Sequence, residues 1–224
     1  MHYSPEEKNH GLPSDPFKAC VGPRPIGWIS TVSKDGIDNL APFSQFQNLS
    51  YDPPLVMIAI TQQGVDPEEI RRKDTTNNIE DTGCFVYNIV PYALKEKMNL
   101  TSAPLSKDVD EFIYAGLTKA DSIKVTAKRV AESPVNFECE YIQTIRIPGA
   151  VPKTTVDIIV GKVVEVHIDD DYILPNGRLD ILKIRPLGRL GYFDYTTVDS
   201  VFEMKMPVSD PKMLLAMEGK SPVK

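Results

Sequence analysis

Alternating apolar and polar positions predict two long strands in the second half of the chain. Residues 136–147 place apolar side chains at the odd positions, with polar residues between most of them: Phe137, Cys139, Tyr141, Ile145 and Ile147. A period of two is the pattern of a strand with one buried face and one wet face. We therefore expect the odd positions in the core, and Asn136, Glu138 and Glu140 in solvent.

The second long strand is predicted over residues 156–168, where the even positions are apolar except for Lys162. This pattern places Val156, Ile158 and Val160 in the core. The Gly161-Lys162 interruption predicts a β-bulge that bends the strand. A bent strand suits a barrel better than a flat sheet.

Shorter strand patterns precede these two. They cover residues 26–33, 55–60 and 84–90. Lys34-Asp35-Gly36 follows the first of them, and an Asp-Gly pair at that place is a strong hairpin signal.

Helices are predicted to be short. Asp74, Thr75 and Thr76 precede a helix over residues 77–82, and Gly83 stands where a left-handed C-terminal residue would lie. Further helices are expected over residues 91–100 and 110–115. Strands and helices do not alternate along the chain, so a doubly wound parallel sheet is not expected.

Composition narrows the class of protein. The chain has 224 residues, 42% of them hydrophobic and 25% charged, as in an ordinary globular protein. Its formal net charge of −6 argues against nucleic-acid binding, which requires a basic surface. The longest apolar run, residues 55–60, is too short to span a membrane, and the first residues carry no secretory signal. Three scattered cysteines, Cys20, Cys84 and Cys139, fit a reducing cytoplasm.

Common catalytic and metal-binding motifs are absent from the sequence. It contains no GxGxxG after a strand, no GxxxxGK[ST], no HExxH and no CxxC. The histidines, His2, His10 and His167, are not grouped as a metal site would require. No histidine lies beside a nucleophile, which counts against a hydrolase.

Three polar segments could instead hold a ligand. Residues 39–44 and 47–50 combine Asn, Ser and Pro with aromatic neighbours, and could present backbone groups to a planar heteroaromatic ring; the alternative is an irregular edge strand. Arg71, Arg72 and Lys73 stand before a helix start, which favours an anion such as phosphate. The alternative is a solvated basic run with Asp74 as N-cap.

The third segment holds Arg24 between Pro23 and Pro25, shortly before Trp28. The two prolines fix the backbone around Arg24. The alternative is that Trp28 lies in the core and Arg24 on the surface.

Together, these segments resemble the flavin reductase-like family of FMN-binding split barrels, in particular its flavoredoxin branch. The likeness covers about residues 23–195, and its order and spacing are specific. The matching stretches are 24–31 (RPIGWIST), 39–44 (NLAPFS), 50–56 (SYDPPLV), 73–75 (KDT) with 78–79 (NI), 83–88 (GCFVYN), 98–102 (MNLTS), 110–112 (DEF), 129–134 (RVAESP), 161–167 (GKVVEVH) and 185–191 (RPLGRLG).

The resemblance implies a mainly β fold with short helices: a six-stranded Greek-key split β-barrel that forms a homodimer and binds FMN near the subunit interface. It implies an N-terminal arm at 1–22, the barrel domain at 23–196 and a C-terminal extension at 197–224. Residues 39–44 and 48–50 would contact the flavin ring, and residues 73–75 its phosphate. The cofactor-binding residues so implied are Arg24, Trp28, Ser30, Thr31, Asn39, Leu40, Ala41, Pro42, Phe43, Ser44, Asn48, Leu49, Ser50, Lys73, Asp74 and Thr75.

The function implied is that of an FMN-binding oxidoreductase of the NAD(P)H:flavin reductase type. One alternative is a non-enzymatic FMN electron carrier that serves a protein redox partner. Another is a flavin-less barrel that only binds a ligand or a protein. NADH or NADPH is the expected donor, and the acceptor is a protein or a small molecule. No nucleic-acid or membrane partner is expected, and the expected location is the cytoplasm.

Overall fold

The computed structural model describes residues 1–62, 72–150, 154–204 and 207. Its strands are β1 (Arg24–Pro25), β2 (Gly27–Val32), β3 (Asp38–Phe43), β4 (Phe46–Tyr51), β5 (Pro54–Gln62), β6 (Cys84–Asn88), β7 (Lys119–Ala120), β8 (Arg129–Val130), β9 (Val135–Pro148), β10 (Thr155–Ile168), β11 (Leu187–Gly191) and β12 (Asp194–Thr197). Its α-helices are α1 (Asp74–Thr82), α2 (Lys95–Leu100), α3 (Glu111–Tyr114) and α4 (Ile181–Ile184). Short 3-10 helices cover Pro16–Ala19, Tyr92–Leu94 and Asp170–Tyr172.

One large antiparallel sheet organises the molecule, in the order β3-β2-β6-β9-β10-β5-β4. The two edges of this sheet curl toward each other. Phe43 of β3 and Phe46 of β4, from the opposite edges, lie in one buried core with Ile58 of β5. The mainly β split-barrel prediction is therefore confirmed. The predicted count of six strands is not, since the described residues place seven strands in this sheet.

Aromatic rings fill the barrel interior. Tyr87 stacks on Phe46 with ring centroids 4.5 Å apart, and it also contacts Phe137. The predicted bulge is present, since the β9–β10 register shifts between Val160 and Gly161. A Cβ at Gly161 would lie 2.4 Å from the ring of Phe85, so only glycine lets the bent strand approach that ring.

The local signals of the first half are confirmed. β2 and β3 form a hairpin in which Ser33 N–H donates to Ile37 O at 2.9 Å, with Gly36 at a positive φ. Gly83 ends α1 in the left-handed conformation. The helix begins at Asp74, three residues earlier than predicted, so Asp74 is not the N-cap; that position belongs to Lys73.

The predicted faces of the long strands are partly wrong. On β9, Cys139 is buried in the core and Phe137 and Tyr141 pack against it, as expected. However, Asn136 and Glu138 are also buried, because the segment at 122–128 covers the face that was predicted to be wet.

On β10 the buried positions are mainly odd, and of the three predicted even positions only Val160 is buried. Ile159 lies in the barrel core with Val163 packed against it, while Val156 and Ile158 are only half-buried. The alternation of apolar residues predicted the wrong inner face because the polar residue Asp157 occupies a fully buried position on that face.

Two short helices cover the outside of β2 and β3. Trp28 and Leu40 point away from the barrel interior and pack with Met98 of α2, Phe112 of α3 and Leu187. Trp28 also donates its Nε1–H to Thr101 Oγ1 at 2.9 Å. This second core fixes the turn that follows α2 beside β3.

The N-terminal segment packs against the barrel domain. The 3-10 helix of the N-terminal segment lies against β11, where a Cβ at Gly191 would clash with Lys18 O. Of the predicted C-terminal extension, residues 205–206 and 208–224 lie outside the described residues. Within the described ranges, no helix is long and apolar enough to span a membrane.

Candidate functional site

A cavity of about 360 Å³ opens where three separate segments meet. These are the edge strand β3, the start of α1, and the turn after α2. Its lining residues are Asn39, Ala41, Pro42, Phe43, Thr61, Arg72, Lys73, Asp74, Thr75, Thr101, Ser102, Ala103, Pro104, Leu105 and Glu111.

The β3 wall of the cavity is a strand edge. Leu40 N–H donates to Glu111 Oε2 at 3.0 Å, so its N–H faces away from β2. In an antiparallel pair, the backbone N–H and C=O groups of successive residues point alternately toward and away from the partner strand. The carbonyl of Pro42 therefore faces away from β2, as Leu40 N–H does, while the carbonyls of Ala41 and Phe43 face β2. Pro42 therefore stands where an edge strand needs no N–H toward its neighbour. The N–H groups of Ala41 and Phe43 are engaged with β2 rather than presented to the cavity.

Asn39 ties the three walls together. Its Nδ2 donates to Glu111 Oε2 at 3.0 Å, and its Oδ1 accepts from Thr75 Oγ1 at 3.0 Å. Thr31 Oγ1 approaches the same Oδ1 at 3.4 Å and accepts from Asn78 Nδ2 at 3.1 Å. The side chains of Asn39 and Thr75 are thus committed to each other and hold β3 against α1.

The start of α1 lines the cavity with residues whose amide groups lie at the first helical turn. The N-cap residue Lys73 makes no side-chain cap hydrogen bond, and its own N–H donates to Gln62 Oε1 at 2.7 Å. Thr76 and Asn77 N–H reach Lys73 O. Asp74 and Thr75 N–H have no hydrogen-bond partner among the described residues. Such groups, with the positive end of the helix dipole, favour an anion.

Arg72 adds a fixed positive charge beside that helix start. Its Nη2 lies 2.7 Å from Glu80 Oε2 and 3.5 Å from Asp157 Oδ2. Its Nε is buried without a hydrogen-bond partner in the described parts of the chain. A buried donor without an acceptor is costly, so this atom is available to an acceptor that enters the cavity.

A buried polar network supports the helix start from inside. Gln62 Nε2 donates to Thr76 Oγ1 at 2.7 Å and to Asp157 Oδ2 at 3.3 Å. Asp157 also accepts from Arg146 Nε at 2.8 Å. Burial by itself raises the pKa of Asp157, but the guanidinium groups of Arg146 and Arg72 outweigh it, and the net pKa is lowered. The carboxylate therefore stays ionised and anchors Gln62, which holds Lys73.

Glu111 contributes a buried carboxyl group to the cavity. It is almost fully buried, and burial raises its pKa despite the hydrogen bonds from Leu40 and Asn39, which act in the opposite direction. Glu111 therefore holds the β3 edge through its hydrogen bonds with Leu40 and Asn39, although its burial disfavours the charged form.

The cavity contains seven of the sixteen residues predicted to bind a cofactor, drawn from two segments far apart in sequence. They are Asn39, Ala41, Pro42, Phe43, Lys73, Asp74 and Thr75. Arg71, part of the predicted phosphate run, lies outside the described residues.

The other predicted residues lie away from this cavity's lining. Trp28, Ser30, Thr31 and Leu40 are fully buried; Ser30 Oγ, for example, donates to Lys128 O at 2.6 Å. Arg24 turns back on the N-terminal segment and donates to Val21 O at 2.5 Å. Ser44 follows β3 without lining the cavity, and Asn48, Leu49 and Ser50 lie on β4, at the opposite edge of the sheet order. Their assignment to the cofactor stays a prediction.

Sequence reasoning did not assign Thr61, Glu111 or the turn at 101–105 to the site. Residues 98–102 and 110–112 were among the stretches that carried the family resemblance, but nothing local tied them to a ligand. Only the packing of α2 and α3 against β3 brings them to the cavity.

Comparisons with known proteins agree with this architecture. The family model described as "Flavin reductase like domain" matches residues 22–183. An uncharacterized protein of Aquifex aeolicus (strain VF5) is 39% identical over 178 residues, 78% of this chain and 86% of that protein.

Solved structures share the fold over nearly their whole length. Nitrilotriacetate monooxygenase component B from Bacillus cereus aligns with a TM-score of 0.82 and 26% identity, over 91% of this chain and 98% of that one. Flavoredoxin of Desulfovibrio vulgaris (Miyazaki F) aligns with a TM-score of 0.72 over 90% and 100% of the two chains; at 18% identity this likeness concerns the fold alone. With the family model covering most of the barrel, the chain belongs to the family of flavin reductase like domains.

Proposed function

We propose that this protein is an FMN-dependent oxidoreductase of the NAD(P)H:flavin reductase type, with FMN bound in the cavity between β3 and α1. Family membership supports a flavin cofactor and oxidoreductase chemistry. The identity of the flavin as FMN and the use of NADH or NADPH as electron donor go beyond family membership and are proposed here.

The observation that carries the proposal is the set of hydrogen-bond donors and positive charges where the start of α1 lines the cavity. That end is lined by two helix N–H groups without a partner in the described chain, by the cation Lys73, and by Arg72, whose buried Nε also has no partner there. These are the donors that a phosphate monoester requires. FMN carries such a group, whereas riboflavin does not, so the residues present fit FMN.

The remaining walls suit a flat ring. Ala41, Pro42 and Phe43 on one side, and Ala103, Pro104 and Leu105 on the other, offer small or apolar surfaces. The volume of about 360 Å³ lies in the range of small-molecule sites, toward its lower end. We infer that a second surface completes the enclosure of the ring.

The chain's own task is to bind and position. FMN, when bound, supplies the hydride- and electron-accepting chemistry. Lys73 and the start of α1 would hold the phosphate, β3 would place the ring, and Glu111 keeps that strand edge in position. An acid–base pair aimed at a substrate is not needed for this role.

The experiment that tests the function begins with the visible spectrum of the purified protein after addition of FMN and removal of excess flavin. NADH and NADPH oxidation are then measured aerobically with added FMN, and flavin bleaching is measured anaerobically. The reductase proposal expects bound flavin that either nucleotide bleaches. Bound flavin that neither nucleotide reduces, but a reduced protein partner does, would replace it with the electron-carrier function. A protein that neither retains FMN nor oxidises NADH or NADPH with added FMN would overturn both.

A homodimer is the second part of the proposal. The outward face of β5, β9 and β10 carries a continuous apolar patch, which comprises Ala59, Ile145, Ile147, Val156 and Ile158. Ile145 and Ile147 are 47% and 46% exposed, and apolar patches of this kind mark interaction surfaces. Val156 pairs in register with Thr61, which lines the cavity, so a second copy on this patch would extend the cavity wall.

Light scattering tests the dimer. We expect about twice the 25.0 kDa chain mass at micromolar concentration, and a shift to the single-chain mass with weaker FMN binding for Ile145→Glu. Ile123→Glu, at another exposed isoleucine, is the matched control and should stay dimeric. A wild-type protein at the single-chain mass would overturn the dimer while leaving the FMN proposal open to its own test.

A further inference from the structure

A second and larger cavity, of about 690 Å³, lies on the other side of α2. It shares no lining residue with the cavity between β3 and α1. Its walls are β11 and β12 on one side and the segment at 92–99 on the other.

Backbone hydrogen bonds hold the walls of this groove in place. Tyr92 N–H donates to Arg185 O at 2.9 Å, and Leu187 N–H donates to Val90 O at 3.0 Å. Thr197 Oγ1 also donates to Arg185 O, at 2.7 Å. Leu187 is buried in the core and supports the floor. The groove is therefore largely preformed.

Cations and aromatic rings alternate along the groove. Lys95 Nζ lies 4.1 Å from the centroid of the Tyr92 ring, and the Arg185 guanidinium lies 4.5 Å from the same centroid. The Arg189 guanidinium lies 4.4 Å from the centroid of Tyr195. Cation–ring contacts fix the direction of each cation without neutralising its charge.

The charges of the groove are only partly compensated. Asp199 Oδ1 accepts from Arg185 Nη2 at 2.6 Å and from its Nε at 3.0 Å, and Glu96 lies 3.9 Å from Lys95 Nζ. Arg189 reaches the carbonyl of Tyr192 but no carboxylate among the described residues. Arg189 therefore keeps a positive charge that an anionic ligand entering the groove would compensate.

The rim adds exposed aromatic surface. Phe193 is 95% exposed beside the groove, and Tyr195 and Tyr92 are each 39% exposed. Ring faces bind flat aromatic ligands by stacking, and a guanidinium fork binds carboxylate or phosphate through two parallel hydrogen bonds.

We propose that this groove binds a planar aromatic anion, with Arg189 receiving the anionic group and Tyr195 and Phe193 contacting the ring. An aromatic carboxylic acid and a purine nucleotide share this chemistry. The volume of about 690 Å³ admits either.

Calorimetric titration of the full-length protein tests the proposal with two matched pairs of probes. The first pair is benzoate against benzamide, and the second is AMP against adenosine; inorganic phosphate is titrated alone. In at least one pair we expect the charged member to bind at least about tenfold more tightly than its neutral partner, as a charge-assisted bidentate contact provides. The pair that shows the preference identifies the source of the ligand.

Variants locate the binding. Arg189→Gln should abolish the preference for the charged member, and Tyr195→Leu should weaken both members of the pair while circular dichroism stays unchanged. Arg178→Gln, at an exposed arginine outside the groove lining, is the matched control and should bind as wild type. Lys73→Met should also leave this binding unchanged, which separates the groove from the proposed FMN phosphate site.

The proposal is overturned if neither pair shows a preference, if inorganic phosphate binds as tightly as AMP and benzoate shows no preference, or if Arg189→Gln binds as wild type. Loss of the preference in Lys73→Met but not in Arg189→Gln would move the ligand to the other cavity and overturn it as well. Failure of the flavin tests would not affect these outcomes, because they measure binding without flavin.

Discussion

Replacement of Lys73 by methionine is the sharpest test of where the FMN phosphate lies. Methionine keeps most of the length of the side chain and removes its charge. The main-chain hydrogen bond from Lys73 N–H to Gln62 does not depend on the side chain. The start of α1 should therefore keep its position, so a change in binding reports the lost ammonium group.

The expected size follows from the contact that is lost. A hydrogen bond to a charged group contributes about 1.5–3 kcal/mol, and because Lys73 is exposed to solvent the lower end is expected. About 1.4 kcal/mol corresponds to a factor of ten in affinity. Lys73→Met should thus weaken FMN binding by about tenfold, and by less at high salt, which screens the charge. Thr75→Ala is a poorer test, because the Thr75 hydroxyl donates to Asn39.

The assay is a titration of flavin-free protein with FMN and with riboflavin, followed by the quenching of flavin fluorescence. Riboflavin has no phosphate, so its affinity should be the same for wild type and variant. Lys34→Met removes another exposed lysine, one paired with Asp81, and should leave both affinities unchanged. Asp74→Asn removes a negative charge from the first turn and should tighten FMN but not riboflavin.

Two results would refute the reasoning. Equal losses of FMN and riboflavin affinity in Lys73→Met would mean that the residue supports the ring or the fold. An unchanged FMN affinity, with Asp74→Asn also without effect, would place the phosphate away from the start of α1.

Three further predictions concern the polar groups that hold the site and the barrel. Gln62→Leu removes hydrogen bonds to Lys73, Thr76 and Asp157 and should cost about 2–4 kcal/mol in urea unfolding; an unchanged midpoint would contradict the network. Burial raises the pKa of Glu138, but hydrogen bonds from Ile123, His167, Lys124 and Val125 lower it more, so the net pKa is lowered. A carboxyl group whose pKa is lowered on folding stabilises the native state at pH values above its unfolded pKa, and this stabilisation is lost as the pH falls through its folded pKa. Glu138→Gln removes this contribution, so the melting temperature of the variant should change less than that of wild type between pH 7 and about pH 3. A variant profile that runs parallel to the wild-type profile would refute this. Glu111→Ala should cost about 1–3 kcal/mol, because Leu40 N–H and Asn39 lose their acceptor, while Glu111→Gln keeps an acceptor and should melt within a few degrees of wild type; equal losses would contradict the role of Glu111 as an acceptor.

Local signals predicted local structure well. An Asp-Gly pair produces the β2–β3 hairpin, and Gly83 ends α1, because each depends on the backbone freedom of one residue. The start of α1 was misplaced because Asp74 looks like an N-cap, whereas Lys73 takes that position with its N–H held by Gln62.

The burial of β10 could not be predicted from its alternation. Asp157 reads as a solvent position, but Arg146 on the neighbouring strand pairs with it, and this inverts the apparent inner face. The same holds for Glu138 on β9, whose carboxylate is satisfied by main-chain N–H groups of a covering loop. Polar residues can be buried where a partner from elsewhere satisfies them, and a single-strand pattern does not contain that partner.

The candidate site shows the same division between local and distant information. The predicted phosphate segment at 73–75 and the β3 segment both line the cavity, since each was marked by its own residue types. Glu111 is 71 residues from Leu40 in sequence, and it reaches the β3 edge only because Phe112 packs beside Leu40. Three polar side chains of the cavity, Asn39, Thr75 and Glu111, are bonded mainly to one another. The start of α1 adds main-chain N–H groups and Lys73, and Arg72 adds one unpaired guanidinium nitrogen. With FMN bound as proposed, recognition would depend on the charge of the ligand more than on side-chain hydrogen bonds to its ring. That role needs no acid–base pair, and the sequence contains none there.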